Sequence, residues 1–98
     1  MLDFYLINDN QPNPSFPEQV SLKIIVGLDL KTFKNLQNKG FIDLEFNYFS
    51  NFRWNFNTIK RLKTKVDNMN SLDTDLKKIN LILEQALKAN SGIIAFCD

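Results

Sequence analysis

The 98-residue chain contains no histidine, one cysteine, three glycines and three prolines. Each shortage excludes something. Without histidine there is no common general base, no imidazole metal ligand, and no Ser–His or Cys–His nucleophile pair. A single thiol, Cys97, leaves no zinc site and no internal disulfide, which fits a reducing cytoplasm. Gly27, Gly40 and Gly92 stand far apart, so no glycine-rich loop cradles a phosphate. No apolar run approaches the roughly 18 residues that a membrane helix needs. The first residues, Met-Leu-Asp-Phe-Tyr-Leu-Ile-Asn, lack the basic start and long apolar core of a secretory signal, so the mature chain is expected to begin at Met1.

The aromatics are abundant by contrast. Phe41, Phe46, Tyr48, Phe49, Phe52, Trp54 and Phe56 place seven rings within sixteen residues, around Arg53. A domain of this size buries only some of them. Phe41, Phe46, Phe49, Phe52 and Phe56 are the candidates for the core, with about four of the seven rings inside. Tyr48, Arg53 and Trp54 are amphipathic and are expected to be partly exposed, as interface anchors often are. Lys60, Arg61, Lys63 and Lys65 follow without an acid, although the formal net charge is only +1. That balance argues against a strong non-specific grip on nucleic acid.

The patterns predict a single α+β domain over residues 1–98, with a small antiparallel or mixed sheet of three to four strands against three helices. Residues 2–7 read as an interior strand. The Asn/Pro-rich stretch 8–17 reads as an ordered or semi-extended loop, with Phe16 available to pin it. Val20, Leu22, Ile24 and Val26 alternate as the buried face of a strand over 19–26. Asp29 can cap a helix to about Asn38, with Gly40 as terminator. The stretch 41–55 mixes period-two alternation with a break after Tyr48, and is expected to be irregular with a short strand. Asn55 or Asn57 can cap a second helix to about Asn68, with Phe56, Ile59, Leu62, Val66 and Met69 in one stripe. A third helix starts at Ser71 or Asp73 and runs to Ala89 on Leu72, Leu76, Ile79, Leu83 and Leu87, stopped by Asn90-Ser-Gly92. Residues 93–97 form a last apolar strand. The two terminal strands are expected to pair near the sheet centre.

Asp43/Glu45 and Asp73/Asp75 are the carboxylate pairs. Acid–base or metal chemistry needs carboxylates converging in a cleft, whereas these fit a solvated strand face and a helix start. Cys97, in an apolar run with no adjacent base, reads as a small buried hydrophobe.

The organisation Leu28-Asp-Leu-Lys-Thr-Phe, Lys39-Gly-Phe-Ile, Tyr48-Phe-Ser-Asn-Phe-Arg-Trp54 and Ser91-Gly-Ile-Ile-Ala-Phe-Cys-Asp98 resembles small bacterial proteins of the toxin-immunity type. That resemblance implies a non-enzymatic protein that neutralises one toxin by binding it. The sequence reading is therefore a cytoplasmic protein-binding module with no cofactor and no metal, contacting its partner through Tyr48, Phe52, Arg53, Trp54, Lys60 and Arg61. The alternative is a nucleic-acid-associated accessory protein using the basic and aromatic region from Arg53 to Lys65.

Overall fold

The computed structural model describes residues 1–15 and 22–97. Expectations for Phe16, and for the first residues of the strand placed at 19–26, fall outside them. In chain order the elements are β1 (Leu2–Ile7), β2 (Ile24–Leu28), α1 (Leu30–Asn38), β3 (Phe52–Trp54), α2 (Phe56–Asp67), α3 (Thr74–Lys88) and β4 (Gly92–Cys97). The strands form one antiparallel sheet in the order β2-β1-β4-β3. The α+β class holds, and the terminal strands do pair at the centre, from Leu2 opposite Cys97 to Ile7 opposite Gly92.

Alternation along the strands divides the apolar side chains between the two faces. Leu2, Phe4, Ile93, Ala95, Phe52 and Trp54 enter the main core with the buried faces of all three helices. Ile7, Ile94 and Phe96 point the other way, into a smaller cluster with Tyr5 and Leu22. Strand β2 departs from the expected alternation. The β1–β2 register shifts between Phe4 and Tyr5, which leaves Ile25 as an extra, bulged residue. Ile24, expected on a buried face, is therefore 53% exposed at the sheet edge.

The helices start where capping chemistry permits. Asp29 accepts a hydrogen bond from the Thr32 amide, Asn55 from Thr58 and Asp73 from Leu76, each at 2.8 Å. Helix α1 is closed off just past its C-cap Lys39 by Gly40, whose φ of 81° suits glycine, with Gly40 N donating to Gln37 O and Phe41 N to Leu36 O. At the end of α3 the left-handed residue is Asn90, with φ of 51°, and Gly92 already belongs to β4. Glycine is needed at 92 for another reason, since a Cβ there would collide with the Trp54 carbonyl oxygen. Asp75 does more than favour a helix start. It accepts from the Thr32 hydroxyl at 3.2 Å and the Asn35 amide at 2.8 Å, tying α3 to α1, while Lys39 pairs with Asp73.

Residues 8–15, the described part of the loop expected over 8–17, are held by hydrogen bonds. Asn8 Oδ1 accepts from Asn10 N, and Asp9 accepts through both carboxylate oxygens from Phe56 N at the start of α2. Arg53 holds the same segment, donating to Asn13 Oδ1 at 2.6 Å and Asn8 O at 2.8 Å.

Two outcomes follow from this packing. Trp54, 4% exposed, belongs to the core. Trp54→Ala should lower stability by about 3–5 kcal/mol, read as a large fall in the urea midpoint. The second concerns acid. The Thr32 amide holds the Asp29 carboxyl below its ordinary value of 3.8, and the Lys39 ammonium, followed by the Leu76 amide, does the same for Asp73. A depressed native value means that the unfolded chain takes up these protons first. The stabilisation is complete above the ordinary value and is lost as pH falls through the native values. The melting temperature of the Asp29→Asn/Asp73→Asn double variant should depend less steeply on pH on the acid side than that of the parent.

Candidate protein-binding site

Six residues were expected to form one contact surface, and the structure does not bring them together. Tyr48, Phe52 and Trp54 are buried, at 8%, 9% and 4% exposure. Residues 52–54 form a strand, so Phe52 and Trp54 face the helices while Arg53, between them, faces the opposite side. The anticipated Phe-Arg-Trp patch is therefore split through the sheet. Lys60 and Arg61 are exposed on α2, with the Lys60 ammonium 5.2 Å from the centre of the half-buried Phe56 ring. Lys63 is engaged by Asp67 and Asn80, and Lys65 donates to Gly40 O while lying over Phe41. Rings that would stack on bases are inside the core, which removes the basis for the Arg53–Lys65 nucleic-acid surface.

Four of the seven clustered rings are buried, as expected in number, but the set differs: Phe41, Tyr48, Phe52 and Trp54. Phe49, assigned to the core, is 70% exposed, and Leu44 is 81% exposed. Both lie in the irregular connection between α1 and β3. With Leu30, Phe33 and Lys34 of α1 they border a groove of about 380 Å³.

That connection is irregular in form and well fixed by bonds. Two turns shape it, closed by Phe46 N donating to Asp43 O and Ser50 N donating to Asn47 O, each at 3.0 Å. The Asn47 side chain accepts from Phe49 N at 2.8 Å, which sets the backbone that carries the exposed ring. From α1, the Gln37 amide donates to Asp43 O at 3.0 Å and Phe46 O at 2.8 Å. Tyr48 passes inward and donates its hydroxyl to Leu28 O at 3.1 Å. Burial pushes the Tyr48 phenol above its ordinary value of 10.0, so the hydroxyl keeps the proton it donates.

Ring contacts complete the support. Phe46 stacks on Phe52 at 4.6 Å, and Tyr48 meets Phe33 edge-on at 5.5 Å. Phe49 stands nearly perpendicular to Tyr48, with centroids 5.2 Å apart. The anchored tyrosine is thus the base of an exposed phenylalanine. Sequence reasoning reversed these neighbours because a tyrosine looks amphipathic, and nothing local shows that Leu28 O awaits its hydroxyl. The one available signal was the Asn47-Tyr-Phe-Ser sequence, in which an Asx turn would place Phe49 at a loop tip.

Among the described residues, no group of three or more acids, histidines or cysteines could hold a metal ion. None of their helices is long and apolar enough to cross a membrane.

No family model matches the chain, and no curated protein matches it. Among solved structures, the Neisseria DNA mimic protein DMP12 is similar over 97% of both chains, with a TM-score of 0.62 and 18% sequence identity. A likeness at that identity establishes a shared fold. It also corrects the expectation of a toxin-immunity protein, because the neighbour that shares the whole fold is of another kind, a DNA mimic.

The Gln37 clamp offers a direct check on the connection. Gln37→Ala should cost about 1 kcal/mol of stability and speed amide exchange at Phe46, Phe49 and Ser50. Unchanged exchange would mean that Tyr48 and the Phe46–Phe52 stack hold the connection without it.

Proposed function

We propose that this chain is a non-enzymatic protein-binding module that docks a partner protein on the Leu44–Phe49 connection and the adjoining groove of α1. The observation that carries this is Phe49, a ring 70% exposed on a backbone fixed by its neighbours. An aromatic side chain held in place before binding loses little entropy when it enters a pocket, and such residues dominate interface energetics. Leu44 and Leu30, exposed beside it, extend the apolar contact.

The fold shared with a DNA mimic protein supports a finer reading, in which the partner is a protein that normally binds DNA. Charge decides how such a partner would be held. With 12 basic and 11 acidic side chains, this chain lacks the excess of negative charge that a general imitation of a phosphate backbone requires. The grip would therefore rest on the apolar anchors, with Asp43 and Glu45, both exposed, flanking Leu44 against a basic rim.

Affinity capture from the source cell's extract, compared between parent and variants, tests the proposal. Phe49→Ala should weaken partner binding by about 2 kcal/mol or more and change the urea midpoint by less than about 0.5 kcal/mol equivalent. A partner retained equally by Phe49→Ala and Leu44→Ala would place the contact elsewhere. Duplex DNA added to the captured complex separates the two levels of the reading. Displacement by DNA supports a DNA-binding partner, and retention limits the proposal to protein binding.

A further inference from the structure

The sheet face turned away from the helices carries a recess of its own, beside the start of β3. It measures about 170 Å³, and Asn13, Pro14, Asn51, Arg53, Ile94 and Phe96 line it. None of these residues borders the groove of α1. The walls combine two chemistries. Ile94 and Phe96 belong to the smaller apolar cluster of that face, and Pro14 adds an apolar ring from the segment after β1. Arg53, Asn13 and Asn51 are the polar part.

The charge of the arginine calls for an occupant. Arg53 is half-buried, yet the groups it donates to are neutral: Asn13 Oδ1 at 2.6 Å, Asn8 O at 2.8 Å and Asp9 O at 3.5 Å. Among the described residues no carboxylate forms an ion pair with it. The acid of the adjoining segment, Asp9, turns both carboxylate oxygens to Phe56 N instead. Arg53 Nε makes no hydrogen bond to the described residues, so the guanidinium has donors to spare. The two asparagines add more. Asn13 Oδ1 already accepts from Arg53, and Asn51 Oδ1 accepts from Cys97 N at 3.0 Å, which leaves the amide nitrogen of each to donate. A partly desolvated cation among unused donors favours an anion, and a planar carboxylate matches a guanidinium best.

Size and apolar walls fix the rest of the ligand. Pockets for drug-sized molecules span about 300–1,000 Å³, so this recess holds one compact group. Inorganic phosphate would leave Pro14, Ile94 and Phe96 unused, whereas an acid on a short ring or branched chain uses both walls. We infer that Arg53 anchors a small monocarboxylate whose compact apolar body lies on Pro14, Ile94 and Phe96. The bound acid joins the segment that carries Asn13 to strands β3 and β4.

Benzoate is the probe, titrated into the intact isotope-labelled chain and followed by amide chemical shifts. Saturable shifts are expected at Asn13, Asn51, Arg53 and Phe96, with a dissociation constant on the order of 1 mM. Acetate, which lacks the apolar body, and benzamide, which lacks the charge, should each bind at least about tenfold more weakly. Asn51→Asp keeps an oxygen for Cys97 N but sets an acid in the wall, and should weaken benzoate at least about tenfold. Arg53→Gln should abolish the shifts. A dipeptide ending in a free phenylalanine carboxylate identifies the source of the acid: tighter binding than benzoate assigns a chain terminus, weaker binding a free acid. No saturable shift up to about 20 mM benzoate would overturn the proposal. So would equal binding of benzamide, or benzoate binding unaltered in both variants. Shifts confined to Leu44–Phe49 would do the same, by placing the acid in the groove of α1.

Discussion

The ring of Phe52 is the junction on which the end of the molecule that carries Phe49 depends. It lies 4.6 Å from Phe46, 5.7 Å from Phe4, 5.6 Å from Trp54 and 6.4 Å from Phe33. One side chain thereby joins the irregular connection, the central strand, its own edge strand and α1. Aromatic pairs at such distances contribute beyond the area they bury, because the edge of one ring is attracted to the face of another. The short strand β3 makes this possible. Its three residues present two rings inward, and Arg53 outward holds the segment after β1 against the other face. The groove of α1 and the exposed Phe49 are built on this cluster.

Charge and apolar exposure are distributed in a way that separates this chain from a phosphate imitation. The cations of α2 are mostly engaged within the molecule: Lys63 with Asp67, Lys65 with a carbonyl, Lys60 over a ring. The carboxylates of α3 are engaged similarly, Asp73 with Lys39 and Asp75 with two side chains of α1. Much of the charge is spent on joining helices. Apart from Met69, the large apolar side chains left in water gather instead at two places, around Leu44 and Phe49 and beside β2. Recognition by such a surface is governed by shape and apolar burial, and depends less on salt than recognition of a polyanion does.

Periodicity made the regular elements legible. The cap at Asp29, the buried positions Ile59, Leu62 and Val66 of α2 and Leu76, Ile79 and Leu83 of α3, and the central pairing of the two terminal strands could be read from spacing and residue type. The other two caps were narrowed to Asn55 or Asn57 and to Ser71 or Asp73, while Met69 and Leu72, counted in the stripes, fall outside the helices. The exposed surface around Leu44 and Phe49 could not be read, for specific reasons. In residues 42–48 the alternation of Ile42, Leu44, Phe46 and Tyr48 imitates a strand, yet Leu44 ends up in solvent. The carbonyls of Asp43 and Phe46 are satisfied by Gln37, a residue of the preceding helix, and not by a neighbouring strand. Such side-chain bonds between a helix and the connection after it leave no periodic trace. The error over Phe52-Arg53-Trp54 was different, since composition suggested one patch while the two-residue repeat of a strand required opposite faces. The bulge at Ile25 shifted the exposure of Ile24 in the same unannounced way.

The pairing of β1 with β4 also determines when this molecule can become itself. Its innermost ladder unites Leu2 with Cys97 and Ile7 with Gly92, so the sheet centre joins opposite ends of the sequence. During synthesis β1 emerges before β4 and can meet β2, but its other edge stays open until residues 92–97 emerge. Closing so long a loop carries a large entropic cost before the contacts that offset it exist, which slows folding of such topologies. Through that interval, the flank that later meets β4 is an unpaired apolar strand edge. The chain is thus most prone to misassociation before residues 92–97 are available, and pairing of β4 with β1 is the step that ends that exposure.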